Sequence, residues 1–413
     1  MSTHPSVRAT SSRAKSPHRR RKIILIVVAS AAGVVALGLG VVLTVGGIFV
    51  PAHYLETWSP EYSTQFADPR MQVVAQAALA PSGHNMQPWT ITFDSADPAV
   101  LYLYADPTRL TPAVDPLDRQ TMVSQGAFLG YFRVSAANLG YTTDFVLFPN
   151  GPYNEADLSA SMSAVPVAKI TLSQDASATT PDFASLFLSD TNRSPYTDTP
   201  LTMDQLTTLT GLADGSGAEL QIFTHQVDVD ALGDFGVQGT LIETEYEPAT
   251  KESDAVFLST EGAKNSVRSG FAVEGQGTSG LMKYLLQGII TIVPSVNGDA
   301  AAAKNAIAMT NAAVLHTPAY AMIRTPGNTR VEQVEAGVLY AEFSLRARTL
   351  GLVVQPLSQV LQEYPTMAEP YAAVHKQYAA EGETIQMLVR LGSPTTEYPN
   401  SMRRDPNSLV HVP

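Results

Sequence analysis

The sequence predicts an α+β chain built as two tandem units behind a single membrane-spanning helix, and three observations carry that reading. An uncharged apolar run, interrupted only by Ser30 and Thr44, fills residues 23–50. Beyond it, stretches with apolar residues at helical spacing alternate with short strand-like runs. One stretch also occurs twice: Gly126-Ala-Phe-Leu-Gly-Tyr-Phe132, continuing to Leu139-Gly140, can be laid on Gly337-Val-Leu-Tyr-Ala-Glu-Phe343, continuing to Leu350-Gly351. Both copies carry an apolar helical face, stop at Leu-Gly and precede a strand-like run. Two copies of one α+β unit, fused as an internal pseudo-dimer, account for this. The alternative is a coincidence between two helices that each end in glycine.

At 1.5 Å per residue the apolar run reaches roughly 40 Å, more than enough to span a bilayer. A cleavable signal peptide has a shorter core of about 7–15 residues. Arg8, Arg13, Lys15, Arg19, Arg20, Arg21 and Lys22 all precede the run, and no charge follows until Glu56. That asymmetry predicts a cytoplasmic N-terminus and a folded part outside the cell membrane. Residues 1–22 then read as a basic disordered tail, 23–50 as the transmembrane anchor, and 51–69 as a linker with Tyr54, Trp58 and Tyr62 at the membrane interface. A net charge of -12 argues against nucleic acid as a partner. With no cysteine, thiol catalysis, disulfides and cysteine-ligated metals are excluded. His225, His316, His375 and His411 lack metal-ligand spacing, so no metal is assigned.

The first unit, 70–176, holds a helix from Met71 to Ala80, strands near Ile91–Phe93 and Val100–Tyr104, a helix from Arg119 to Leu139, and strands near Phe145–Phe148 and Val167–Leu172. The polar stretch Ser173–Thr180 marks the boundary. The second unit, 177–413, opens with a short helix at Pro181–Leu188 and a helix after Thr202, then a strand at Glu219–Phe223. Ser259–Gly280, rich in Gly and Ser, reads as a lid segment. Helices at Ser279–Ile290, Ala300–Leu315, Thr329–Leu350 and Pro370–Ala380 follow, with strands at Ala319–Arg324 and Thr384–Arg390.

The chain is organised around Ala80-Pro81-Ser82-Gly83-His84-Asn85-Met86-Gln87-Pro88-Trp89, between the first helix and the first strand. Two prolines and a glycine restrict the backbone, so a rigid loop displays Ser82, His84, Asn85 and Gln87. Amide and hydroxyl groups without an acid–base partner suit holding a polar planar ligand. A structural turn that caps the helix and buries Trp89 is the other reading.

This block resembles the Pro-Ser-x-x-Asn-x-Gln-Pro-Trp signature of the nitroreductase family, homodimeric flavoproteins that bind FMN at the subunit interface. The resemblance implies a nitroreductase-like α+β fold with two four- to five-stranded, largely antiparallel sheets. It extends over roughly Asp68–Val410, strongly in the first unit and weakly in the second. Family sites combine parts from two subunits, and here each part occurs once. Pro81, Ser82, His84, Asn85 and Gln87 lie in the first unit. Arg193 and Ser194, resembling a phosphate motif, lie in the second with Pro356, Leu357 and Ser358, expected at the flavin edge, and with the tail residues Arg403 and Arg404. One FMN per chain, in a monomer, is the expectation.

Two departures bear on the ligand. Only one arginine flanks Ser194, and Leu357-Ser358 stand where the family often has Gly-Gly. The function implied is an FMN-dependent oxidoreductase passing electrons from NAD(P)H to a nitro, quinone or similar aromatic acceptor. A non-catalytic flavin-binding or flavin-sequestering protein is the alternative, since little free nicotinamide exists outside the membrane.

Overall fold

In the computed structural model, which describes residues 17–411, the two halves of the chain run through one order of elements. The first half contains α2 (Pro69–Ala77), β1 (Trp89–Phe93), β2 (Val100–Ala105), α3 (Arg119–Asn138), β3 (Tyr141–Leu147), α4 (Leu158–Ala164) and β4 (Ala168–Gln174), all behind the N-terminal helix α1 (Pro17–Val45). The second half contains α5 (Met203–Thr210) and β5 (Glu219–Phe223). An insertion of five helices follows: α6 (Gln226–Glu245), α7 (Glu247–Ala255), α8 (Glu261–Val267), α9 (Gly280–Ile292) and α10 (Asp299–Val314). The unit then resumes with β6 (Ala319–Thr325), α11 (Arg330–Thr349), β7 (Val353–Pro356), α12 (Ala368–Tyr378) and β8 (Thr384–Gly392).

One sheet is ordered β3-β4-β2-β1 and the other β7-β8-β6-β5, with every one of these pairings antiparallel. Strand for strand, the two orders correspond. The first sheet gains a fifth strand, the short β9 (Val410–His411), which crosses back from the chain's end to pair parallel with β1, Ile91 opposite Val410.

The joint between the halves is the repeated helix, α3 against α11. A Cβ at Gly126 would lie 1.9 Å from the Val334 carbonyl oxygen, and one at Gly337 would lie 2.0 Å from that of Val123. The repeat therefore places its glycine on both sides of a backbone-to-backbone contact that no side chain could enter. Each copy stops at a glycine in the left-handed region, Gly140 at φ +79° and Gly351 at φ +75°, which turns the chain into β3 and towards β7. Start signals are equally local: Thr202 with Gln205 and Thr329 with Glu332 form capping boxes on α5 and α11. One core, with Trp89, Phe128 and Phe132, packs the first sheet on α3. A second, with Ala321, Ile323, Leu339 and Phe343, packs the other sheet on α11.

Several sequence expectations need correction. Of the tail expected to be disordered, residues 1–16 lie outside the described residues, whereas Pro17 onward is already helical. The 51–69 stretch forms two 3₁₀ turns packed onto the body, so Tyr54 and Trp58 are buried inside the protein rather than placed at a membrane interface. Trp58 Nε1 donates to the Ser401 carbonyl at 2.8 Å. Ser259–Gly280 is not a structureless loop: it contains α8 and a 3₁₀ turn at Val273–Gln276. The short helix expected at Pro181–Leu188 is a 3₁₀ turn, Phe183–Phe187.

Candidate functional site

The loop after α2 carries three non-glycine residues in the left-handed region: His84 (φ 50°), Asn85 (φ 52°) and Gln87 (φ 51°). Each costs on the order of 1 kcal/mol relative to the ordinary region. Such strain persists only where surrounding contacts over-determine it. Those contacts are on hand. Gln87 N–H donates to Ser82 Oγ at 2.9 Å. The Gln87 amide donates to the Arg268 carbonyl at 2.8 Å and accepts from the Arg404 N–H at 2.8 Å. Asn85 Nδ2 donates to the carbonyls of Gly270 and Met402. Arg403 Nη1 donates to Asn85 Oδ1 at 3.0 Å.

The loop forms one wall of a cavity of about 490 Å³. Pro81, Ser82, His84 and Asn85 line it from the first half, with Gln120, Ser124 and Ala127 of α3. The second half contributes Arg193, Tyr340, Pro356, Ser358 and Met387, and the helical insertion adds Glu243, Ser253, Phe271 and Met309. Sequence-derived candidates from both halves thus meet at one place. Arg193 is the one arginine or lysine among the cavity-lining residues, and among the described residues it forms no ion pair. It donates to the Gly275 carbonyl at 3.2 Å. The turn carrying it is set by buried Asn192, whose Oδ1 accepts from the Ser194 N–H at 3.0 Å.

Other candidates sit elsewhere. Arg403 is fully buried: its Nη2 pairs with Asp190 at 2.9 Å and donates to the Leu79 carbonyl at 2.8 Å, and its guanidinium stacks over the Trp58 ring. Arg404 donates to the carbonyls of Gln87 and Trp89 at 2.9 and 3.0 Å. Burial, with the nearby Arg109 charge, lowers its pKa to about 10. Neither lines the cavity; both clamp the strained loop, because the buried carbonyls and Asp190 need donors. Gln87 is likewise buried behind the loop, and Leu357 packs against Gly236 of α6. The Ser194 carbonyl faces Arg390 and its hydroxyl does not line the cavity.

Five buried polar atoms on cavity-lining residues have no hydrogen-bond partner among the described residues: Gln120 Nε2, Tyr340 OH, Gln359 Oε1, Gln362 Oε1 and Glu274 Oε2. Buried polar groups of this kind are normally paired, so these five set the walls apart from an ordinary core. Sequence reasoning missed Tyr340 and the glutamines. For Tyr340 a signal existed: the repeat aligns it with Leu129, so a hydroxyl replaces an apolar side chain at a buried helical position. Burial raises Glu243, and only the amides of Gln362 and Gln359 oppose that.

His84 hydrogen-bonds Ser253 Oγ at 3.1 Å and packs on Phe271. Burial, reinforced by the Arg193 charge, pushes its pKa down to about 4. The folded-state value lies below the unfolded one near 6.5, so the unfolded chain takes up the proton first. Stability should therefore fall as pH drops from about 6.5 to 4. The loss is at most about 3 kcal/mol, less whatever solvent in the cavity screens. Chemical denaturation across this pH window should show a smaller slope in His84→Gln, and an unchanged slope would contradict the assignment.

No family model matches the chain. Among curated proteins it is 30% identical over 102 residues to an uncharacterised protein of Mycobacterium tuberculosis (strain ATCC 25618 / H37Rv), covering 24% of this chain and 29% of that protein. It is 38% identical over 77 residues to the "Putative NAD(P)H nitroreductase acg" of the same strain, covering 19% and 22%. The chain thus spans under a third of the length of these relatives. Similar solved structures include a nitroreductase with bound FMN from Desulfitobacterium hafniense DCB-2, at 11% identity and TM-score 0.32 over 57% of this chain and 99% of that one. Another is the FMN-dependent nitroreductase NfnB from Mycobacterium smegmatis in complex with NADPH, at 12% identity and TM-score 0.30 over 50% and 83%.

Proposed function

We propose that this protein is an FMN-dependent oxidoreductase of nitroreductase type, an internal pseudo-dimer holding one flavin per chain. The observation that carries the reading is the cavity between the repeated units, walled by the strained Pro81–Asn85 loop on one side and by Arg193, Pro356 and Ser358 on the other. Arg193, its one lining arginine or lysine, supports an anionic ligand, and the polar side chains of Gln120, Tyr340, Gln359 and Gln362 on its walls support a polar, planar one. The stretch of sequence similarity to a protein named as an NAD(P)H nitroreductase agrees with this.

Arg193 would grip the phosphate with its planar fork. Ser82 and the loop backbone would border the ribityl chain, and Pro356 and Ser358 the ring edge. FMN would supply two-electron chemistry between a nicotinamide donor and a nitro, quinone or similar acceptor. His84, held neutral by its surroundings, adds no positive charge beside the ring at neutral pH.

Arg193→Ala should lose FMN affinity by tenfold to a hundredfold, the loss of a charge-assisted contact worth about 1.5–3 kcal/mol. Fluorescence titration of the apoprotein measures this, and unchanged affinity would remove Arg193 from the site. The visible spectrum under anaerobic conditions, before and after NADPH, tests turnover. Bleaching of the flavin band supports an oxidoreductase. A bound flavin that stays oxidised favours sequestration, a reading suited to the helical insertion that walls the cavity with Phe271, Ser253 and Met309.

Helix α1 contains a stretch, Ile24–Val45, long and apolar enough to cross a membrane. We infer that it anchors the protein with its basic N-terminal flank in the cytoplasm and the folded part outside. Protease added to intact spheroplasts should then remove the folded part, and protection of it would reverse the topology.

A further inference from the structure

Helix α9 is built inside out for a protein surrounded by water. Its polar side chains face inward: Lys283 and Gln287 are buried in a charge cluster with Glu261, Lys264, Glu274 and the Tyr54 hydroxyl. Lys283 Nζ lies 2.9 Å from Glu261, and Lys264 Nζ lies 2.7 Å from Glu261 and 2.5 Å from Glu274. Two carboxylates thus balance two ammonium groups, which is what permits their burial. The outward face is apolar. Leu281, Met282, Ile289 and Ile292 are exposed, and the chain continues with exposed Val293 and Val296. Water-facing helices show the reverse arrangement.

The position of α9 says what covers that face. It crosses the last turn of α1 at a glycine-lined contact: a Cβ at Gly288 would lie 2.0 Å from the Val42 carbonyl oxygen, and one at Gly46 would lie 1.9 Å from that of Tyr284. Gln287 Nε2 also donates to the Gly46 carbonyl at 2.6 Å. So α9 is fixed rigidly to the end of the apolar helix, at the depth where a spanning segment leaves the bilayer.

We propose that α9 and the Val293–Val296 turn lie in the membrane surface, their apolar face inserted into the boundary between headgroups and acyl chains. This rests on α1 being a membrane anchor. Asn297, the residue after Val296, lines the cavity, so one rim of the site sits at the lipid boundary. The buried charge cluster then acts as the rigid mount that holds the catalytic body against the membrane in a fixed orientation.

The chain has no cysteine, so single-cysteine variants of the full-length protein can be labelled cleanly. Leu37→Cys in α1, Ile292→Cys, Val296→Cys and Leu315→Cys would each carry an environment-sensitive fluorophore. Reconstitution into phosphatidylcholine vesicles containing doxyl-labelled lipid reads contact with the bilayer as quenching. Leu315 is exposed at the far end of α10, about 24 Å of helix from the Val296 turn, and serves as the water-facing reference. The expected result is strong quenching at Leu37 by deep doxyl groups and several-fold stronger quenching at Ile292 and Val296 than at Leu315 by shallow ones. Quenching at Leu37 with Ile292 and Val296 no different from Leu315 would overturn the proposal while leaving the anchor intact. No quenching at Leu37 would overturn the anchor and the proposal with it.

Discussion

Gly337→Val is expected to destabilise the folded part by more than about 4 kcal/mol, enough to prevent its accumulation at ordinary temperature. The added Cβ would lie 2.0 Å from the Val123 carbonyl oxygen and 2.9 Å from the Gly126 Cα, both backbone atoms of α3. Rotamer changes cannot relieve a backbone clash, so α3 and α11 would have to separate and their flanking cores would open. Gly337→Ala meets the same atoms and should cost somewhat less. Gly262 in α8 offers the contrast, since nothing lies within 4 Å of a Cβ there. Gly262→Ala should be neutral or gain up to about 1 kcal/mol from helix propensity. Urea midpoints of the three variants measure the difference. A Gly337→Val variant as stable as Gly262→Ala would mean that the two repeated helices do not meet as described.

Arg403→Ala should cost about 3–5 kcal/mol of stability, because it leaves Asp190 without its partner and removes donors from Asn85 Oδ1 and the Leu79 carbonyl. The strained loop loses one of its restraints at the same time. Thermal unfolding of the flavin-free protein is the discriminating measurement. A tail arginine that merely bound phosphate would leave the flavin-free protein unchanged and shift only the flavin-bound form. The expected result is a large drop in both, whereas Arg193→Ala should shift mainly the flavin-bound form.

That contrast also marks how far the sequence could be read. The repeated helices, β1, β2, β5, β6 and β8 were legible because their apolar periodicity and their capping or glycine stop signals are local. The two-residue β9 was not, since its pairing with β1 is set by a contact more than three hundred residues away in sequence. Helices α6 and α7 were missed, and α8 was hidden in a segment whose glycines and serines resemble a loop; its Glu261 and Lys264 become intelligible only when Lys283 and Glu274 arrive from beyond it. In the site, Pro81–Asn85 stood out because proline, glycine and short polar residues mark a constrained turn. Arg403 and Arg404 were misassigned because sequence reveals their charge and not their partners. Charge on a C-terminal tail reads as free to meet phosphate, yet Asp190, Asn85, Gln87 and Trp89 consume it.

The flavin-to-protein ratio tests the proposed single composite flavin site per chain directly. The Pro81–Asn85 loop lines one side of the cavity, and Arg193, Pro356 and Ser358 line the other. FMN released by denaturation from the purified full-length protein, after saturation and removal of excess, should come to about one equivalent per chain. A ratio near two would mean that both repeated units kept a site of their own. A ratio near zero after saturation would mean that the cavity between them is not a flavin site.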